Sequence, residues 1–293
     1  MPKYFVDPTL AWPRHHPKVF TTKAGTRYLK EPGAAVVGQT MTNIDGIAEF
    51  LEEFGFDGYL LDPTLIPSGE AITKVGGQIC YMSLGEKRTK NEGASKYFEH
   101  LKESGHGSVL EHASASVLVY GVSRSLTHEL VRHRAGTAFS QLSQRYVSGK
   151  LVRFVERPEY QNDEALHSRF EDWIDLSARE YEERASLLLL KQERGDEDMS
   201  AERKTDARKR VNQAARSCLP NETETIVLFT GNTRAWRHIF EMRASEGAET
   251  EIRALIFLCF TLLKKVWPVL LEDYEEVTLG DGTRAVKTKY RKV

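Results

Sequence analysis

Apolar and polar residues alternate along this chain with two different periods, and the changes of period mark its elements. Helical spacing predicts a short amphipathic helix over Asn43–Phe54 (NIDGIAEFLEEF) and another over Lys96–Ser104, stopped at Gly105. A third is expected over Ser125–His133, with Leu126 and Leu130 on one face. Asp163 to about Lys191 reads as a long, highly charged helix whose apolar contribution is Phe170, Trp173, Ile174 and Leu176. The charged segment Glu193–Ser200 breaks the pattern, and a second helix over Ala201–Cys218 ends before Pro220. Asn232 is a good N-cap for a helix from Thr233 to about Ser245, and Glu249–Val266 follows as an apolar helix. Ala113–Val122 (ASASVLVYGV) is β-branched and reads as a strand, Leu151–Glu156 as a short one. Gly280-Asp281-Gly282, between Val277 and Val286, suggests a terminal hairpin. Met1 to about Thr40 has no sustained period and is expected to wrap the surface. Helices dominate, so the expected class is α+β, a small antiparallel sheet flanked by long helices.

Composition narrows the function classes. The chain has 293 residues, 40% of them hydrophobic, and a net charge of −1 from 41 basic and 42 acidic residues. That is enough chain for one large domain or two small ones, and too neutral for a general nucleic-acid binder, so any anion site should be local. Three cysteines, Cys80, Cys218 and Cys259, match no zinc or Cys-x-x-Cys spacing, and a sparse odd count suits a reducing compartment. The N-terminus lacks the apolar stretch of a signal peptide, and the longest apolar run, Leu255–Leu263, is too short to span a bilayer. A cytoplasmic protein with no membrane partner is expected.

Three stretches carry candidate chemistry. In RHRAGTAFSQLSQRY, Arg132, Arg134 and Arg145 are permanent cations around the titratable His133 and the hydroxyl of Ser143. Such a cluster repels itself unless an anion neutralises it, which points to a phosphate or pyrophosphate; the plain alternative is a solvated basic helix end. In SGHGSVLEH, His106 and His112 flank a turn and could simply fill local hydrogen bonds. In the third, Arg216 precedes Pro220 and GNTRAWRHIFEMRASEGAETEIR follows; Arg234 and His238 share a helix face, whereas Arg243 falls roughly opposite. That helix would show cations to two different sites, or be an ordinary amphipathic helix with Trp236, Ile239 and Phe240 in the core.

Taken together, these stretches resemble the flavin-dependent thymidylate synthases (the ThyX family). The family motif reads Arg-His-Arg, seven residues, then Ser; here eight residues separate Arg134 from Ser143, and Gly136 makes a one-residue bulge tolerable. Ser143-Gln144-Arg145-Tyr146 matches the family's Ser-x-Arg-Tyr, and His106 to His112 its Gly-His-x-Ser/Thr-x-x-Glu-His. A further departure is Gly247, where many members carry His. The resemblance runs from about Gln78 to Arg253 with a helical insert at about 157–204. It suggests a catalytic domain over 71–293 and an N-terminal extension over 1–70 of unknown role.

The resemblance implies reductive methylation of dUMP at C5 to dTMP, with methylenetetrahydrofolate as carbon donor and NADPH-reduced FAD as hydride source. It implies FAD contacts at His106, Ser108, Arg132, His133, Arg134, Gln141, Asn232, Arg234 and His238, with Glu111 and His112 bracing the site. It implies nucleotide contacts at Glu129, Arg132, Gln141, Ser143, Arg145, Arg216 and Arg243. Of these, Arg243 would polarise the uracil ring and Ser143 would orient and activate the nucleotide. It further implies a homotetramer with active sites between subunits, and no metal. The cysteines lie in apolar or helical settings and are expected to be inert, and no Gly-x-Gly-x-x-Gly follows a strand, so FAD would not sit in a Rossmann domain. Two alternatives stay open: a related C5-methylase or hydroxymethylase acting on UMP or another nucleotide, and a non-catalytic nucleic-acid-binding regulator.

Overall fold

A computed structural model describes residues 12–62, 64–147, 153–199, 204–291 and 293. In chain order the elements are β1 (Arg14–His15), β2 (Val19–Thr21), β3 (Arg27–Leu29), β4 (Gly33–Gln39), α1 (Ala48–Glu53), α2 (Ser68–Ile79), α3 (Ala94–Glu103), β5 (Ser114–Ser123), α4 (Arg124–Leu130), β6 (Thr137–Gln141), β7 (Phe154–Val155), α5 (Glu164–Glu193), α6 (Lys204–Ala215), β8 (Glu224–Asn232), α7 (Thr233–Arg243), α8 (Thr250–Val266), β9 (Tyr274–Thr278) and β10 (Arg284–Thr288). The central sheet is antiparallel throughout, in the order β1-β4-β5-β8-β6. A small sheet β2-β3-β7 and the hairpin β9-β10 complete the strands, which gives the expected α+β class.

The sheet's buried face follows from the alternation in β5. Ala115, Val117 and Val119 are fully buried, while Ser114, Ser116 and Leu118 between them are only partly so. On that face Val117, Val119, Val227 and Phe229 pack with Trp236 and Phe240 of α7 and with Ile256 and Phe260 of α8. Phe229 sits between two rings, Phe139 stacked at 4.7 Å and Trp236 at 4.4 Å. A register shift between Val119 and Val122 bends β5 at Gly121 (φ 64°), whose amide donates to Glu224.

The long helix, α7, α8 and the terminal hairpin lie where periodicity and caps put them. Asp163, Asn232 and Glu249 each cap a helix through a side-chain oxygen. Four expectations change. Residues 12–40 do more than wrap the surface: β4 pairs with β5, tying this segment into the sheet that carries the site, while residues 1–11 lie outside the described residues. α4 ends at Leu130, so Arg132, His133 and Arg134 lie in the turn after it and not on the helix. β6, β8 and α2 were not expected as elements. Only Phe154–Val155 is strand within Leu151–Glu156; Leu151 and Val152 lie outside the described residues, as do Ser200 to Arg203 at the start of the expected second helix.

Candidate functional site

The Arg-His-Arg turn is anchored at both ends. Ser123 caps α4, its Oγ accepting from Leu126 N and donating to the buried Glu251. Past Leu130, the amides of Arg132 and His133 still donate to Glu129 and Leu130 carbonyls, and Thr137 Oγ1 donates to His133 O at 2.6 Å. Gly136 then takes a left-handed φ of 67°, its carbonyl accepts from Asn232 N, and β6 begins against β8.

Arg243, at the end of α7, reaches back to this turn. Its Nε donates to His133 Nε2 at 3.0 Å and its Nη1 pairs with Glu129 Oε2 at 2.5 Å. Burial pushes the His133 imidazole down to about 4, with the charges of Arg243, His238 and Arg132 adding to it. The ring is therefore neutral near pH 7, with Nε2 as acceptor and the proton on Nδ1. His238 packs edge-on against it, ring centroids 5.6 Å apart. Arg243 and His238, expected on opposite faces of one helix, thus both meet His133. His238 shares with Arg234 a cavity of about 430 Å³ lined also by Glu111, Ala135, Gly136 and Asn232. Arg234 pairs with Glu111 at 2.6 Å, and it passes over Gly107, where a Cβ would come within 3.0 Å of Arg234 Nε.

The second group lies beyond β6. Gln141 Nε2 donates to Thr127 Oγ1 and Thr225 Oγ1, which fixes its amide between α4 and β8. Ser143 Oγ accepts from Arg145 N at 3.4 Å, and no acid or imidazole bonds it among the described residues. Arg145 Nε is buried with no hydrogen-bond partner among the described residues. Its carbonyl accepts from Asn212 of α6, one turn before Arg216. Arg132, Arg134, Arg145 and Arg216 have no ion-pair partner among the described residues, consistent with cations awaiting an anion. His106 and Ser108 are exposed; His106 stacks near Tyr81, centroids 6.2 Å apart.

Sequence reading missed the supporting residues Thr127, Thr225 and Glu251. Only contact across the sheet identifies them; no local spacing does. Among the described residues no cluster of metal-ligating side chains occurs, and no helix is long and apolar enough to cross a membrane. Cys259 is fully buried with its thiol pushed up to about 12 by burial, Cys218 is raised for the same reason, and Cys80 is exposed past the end of α2.

Comparison with known proteins shows the family. The family model for thymidylate synthase complementing protein (Thy1) matches residues 60–269. The chain is 44% identical over 220 residues to a flavin-dependent thymidylate synthase of Mycobacterium sp. (strain JLS), covering 75% of this chain and 85% of that one. It is 43% identical over 215 residues to the flavin-dependent thymidylate synthase of Mycobacterium tuberculosis (strain ATCC 25177 / H37Ra), covering 73% and 83%. A solved structure of the UMP/dUMP methylase PolB from Streptomyces cacaoi, bound with 5-Br dUMP, shares the fold with a TM-score of 0.55 at 18% identity, over 83% of this chain and 94% of that one. Motif, fold and relatives together make this chain a member of the Thy1 family, the flavin-dependent thymidylate synthases.

Proposed function

We propose that this protein methylates dUMP at C5 to give dTMP, using methylenetetrahydrofolate as carbon donor and NADPH-reduced FAD as hydride source. The observation that carries the proposal is the chain of contacts Glu129–Arg243–His133–His238. It links Arg243, suited to the nucleotide base, with the cavity suited to a flavin.

A flavin fits the residues present. Arg132 and Arg134 are exposed cations without ion pairs among the described residues, and Gly136 leaves the cavity wall open beside Asn232, Arg234 and His238. When bound, the reduced flavin supplies a hydride, which lets the carbon arrive from the folate without a separate reductant in the protein. The residues of the chain then have to hold, orient and polarise.

Uracil C5 has little nucleophilic character, and one remedy is attack of a cysteine thiolate at C6. Cys259 cannot serve, being buried with its thiol pushed up to about 12, and burial also raises the Cys218 thiol in spite of the nearby charge of Arg184. Polarisation is the remaining route. Arg243, fixed by the neutral His133 and by Glu129, is a preorganised charge that would stabilise negative charge developing at O2 and N3 of the ring. Because His133 accepts from Arg243, it holds that guanidinium in place without adding a competing positive charge. Arg145 and Arg216 would grip the phosphate bidentately, while Ser143 and Gln141 orient the nucleotide. Ser143 is assigned to orientation and not attack, since no base bonds it. A homotetramer with shared sites is part of this proposal, supported by cations exposed on the turn. So is a cytoplasmic setting, supported by three free cysteines.

The test is tritium release from C5-labelled dUMP and, in parallel, UMP, without oxygen, with FAD, NADPH and methylenetetrahydrofolate. Release from dUMP with dTMP formed is the expected result. Release from UMP alone would move the protein to a different nucleotide specificity, and release from neither would overturn the proposal.

A further inference from the structure

We propose that the segment after β9 is a strap along α7 that sets Val293 into the wall of the flavin cavity, where it is an apolar contact for the cofactor. The proposal rests on the flavin reading above and concerns residues that lie beyond the motifs and beyond the family match.

The strap runs along α7 from the helix's end towards its start. Val286 N, in β10, donates at 2.8 Å to the carbonyl of Ala244, just past α7. Arg291 Nε lies 3.8 Å from Glu241 Oε2, and Tyr290 O accepts from Arg237 Nη2 at 3.3 Å. Val293 comes next to Arg234: a Cβ built on Gly107 would lie 3.0 Å from both Arg234 Nε and the backbone carbon of Val293. Val293 is only 8% exposed, and it lines the same cavity as Arg234 and His238.

Buried charge fastens the strap. Arg237 is fully buried, and its Nη1 and Nη2 each donate to Asp273 at 2.9 Å. Asp273 also accepts from Lys102 Nζ at 2.6 Å and from Thr288 Oγ1, which in turn accepts from Tyr290 N at 3.1 Å. On the outer side the Tyr290 hydroxyl lies 3.0 Å from Glu99 Oε1 and from Glu103 Oε1, and Lys289 Nζ donates to Glu99 at 3.1 Å. One carboxylate, Asp273, thus ties the strap to the helix that carries Arg234 and His238 on either side of Arg237.

The cavity needs what Val293 brings. Among the described residues that line it, Glu111, Asn232, Arg234 and His238 are polar or charged, and all the others except Val293 are alanine or glycine. A flavin ring system requires apolar surface beside the few polar groups that orient it. Val293 is the largest aliphatic side chain in that lining. The same contact explains the glycine at 107: a side chain there would push the strap and Arg234 away together.

The experiment titrates FAD into the full chain stripped of flavin, by calorimetry, for wild type, Val293→Gly, Val293→Ile and Val293→Thr. Thermal unfolding of each flavin-free protein is recorded alongside. Loss of the buried side chain in Val293→Gly should weaken FAD binding by about tenfold or more. Val293→Ile should keep the affinity within about threefold. Val293→Thr keeps the shape but faces the ring with a hydroxyl, so it should lose about fivefold, and it carries the test if Val293→Gly does not fold. A residue that only packs would lower the unfolding temperature and leave the FAD affinity of the folded protein unchanged. That result, or tighter FAD binding in Val293→Gly, would overturn the proposal while the flavin reading stands. Failure of wild type itself to bind FAD would overturn both.

Discussion

Replacing Gly136 by alanine should loosen the whole helix that carries Arg234, His238 and Arg243. At Gly136 (φ 67°) a Cβ would lie 2.6 Å from Asn232 Nδ2 and 2.9 Å from its Cγ and Oδ1. The first cost is conformational: a left-handed non-glycine residue is disfavoured by about 1–2 kcal/mol. The second arises because Asn232 is not free to move. Its Oδ1 accepts from Ala235 N at 2.8 Å and caps α7, so displacing it forfeits a cap, about 1 kcal/mol. Gly136→Ala should thus destabilise by about 2–3 kcal/mol, and Asn232→Ala, which loses the cap alone, by about 1 kcal/mol. In the double variant the clash has gone and the cap is lost only once, so it should be no less stable than Gly136→Ala alone. Urea denaturation of the four proteins, with flavin absorbance recorded alongside, measures the cycle. Two results would refute the reasoning: a Gly136→Ala protein within about 0.5 kcal/mol of wild type, or simple additivity of the two changes.

Arg243→Ala should lower turnover by about 10²–10³ while the protein stays yellow. In the same variant the His133 imidazole, now at about 4, should rise but stay below its ordinary value, because burial is the larger cause; NMR titration reads this, and an unmoved pKa would remove Arg243 from its side. Glu70 is buried with its carboxyl pushed up to about 7, and its Oε1 accepts from Val269 N and Leu270 N. The native state therefore holds a proton that the unfolded chain releases near 4.5, and stability from this residue should fall as pH rises from about 4.5 to 7. Glu70→Gln should gain on wild type over that range, as denaturation at both ends would reveal. Changing Cys80, Cys218 and Cys259 together to Ser or Ala should leave measurable dTMP formation; a folded, flavin-loaded triple variant with none would restore a thiolate route.

The helices were legible because their signals are local. Asn232 and Glu249 are capping residues at the positions they occupy, and the apolar spacing of Trp236, Ile239 and Phe240 is that of one buried face. The elements missed are those whose local signal points the wrong way. α2 contains Gly69, Gly76 and Gly77, which locally disfavour a helix, and they are there because neighbours pack closely on it: a Cβ at Gly69 would meet the Trp267 ring at 2.5 Å and one at Gly77 the Tyr97 hydroxyl at 2.2 Å. β6 is a strand because β8 pairs with it, which TAFSQ does not announce. The Arg-His-Arg residues were recognisable as a cluster from charge alone. That Arg243 would meet His133, which is 110 residues earlier, was not, since only the packing of α7 on the sheet brings them together.

The α5–α6 excursion leaves the sheet after β6 and returns at β8, so Gln141 pairs with Val227 across some eighty intervening residues. Polymer statistics make the length of such a detour nearly inconsequential at equilibrium: halving it would recover only about 0.6 kcal/mol of closure entropy. Kinetically it matters more, because β6 cannot find β8 until the detour has been synthesised and drawn in. The sheet edge bearing Gln141, and with it the turn at Gly136, is therefore expected to be among the last parts of the molecule to form. A nascent chain would hold β4 and β5 paired well before any surface able to bind an anion exists.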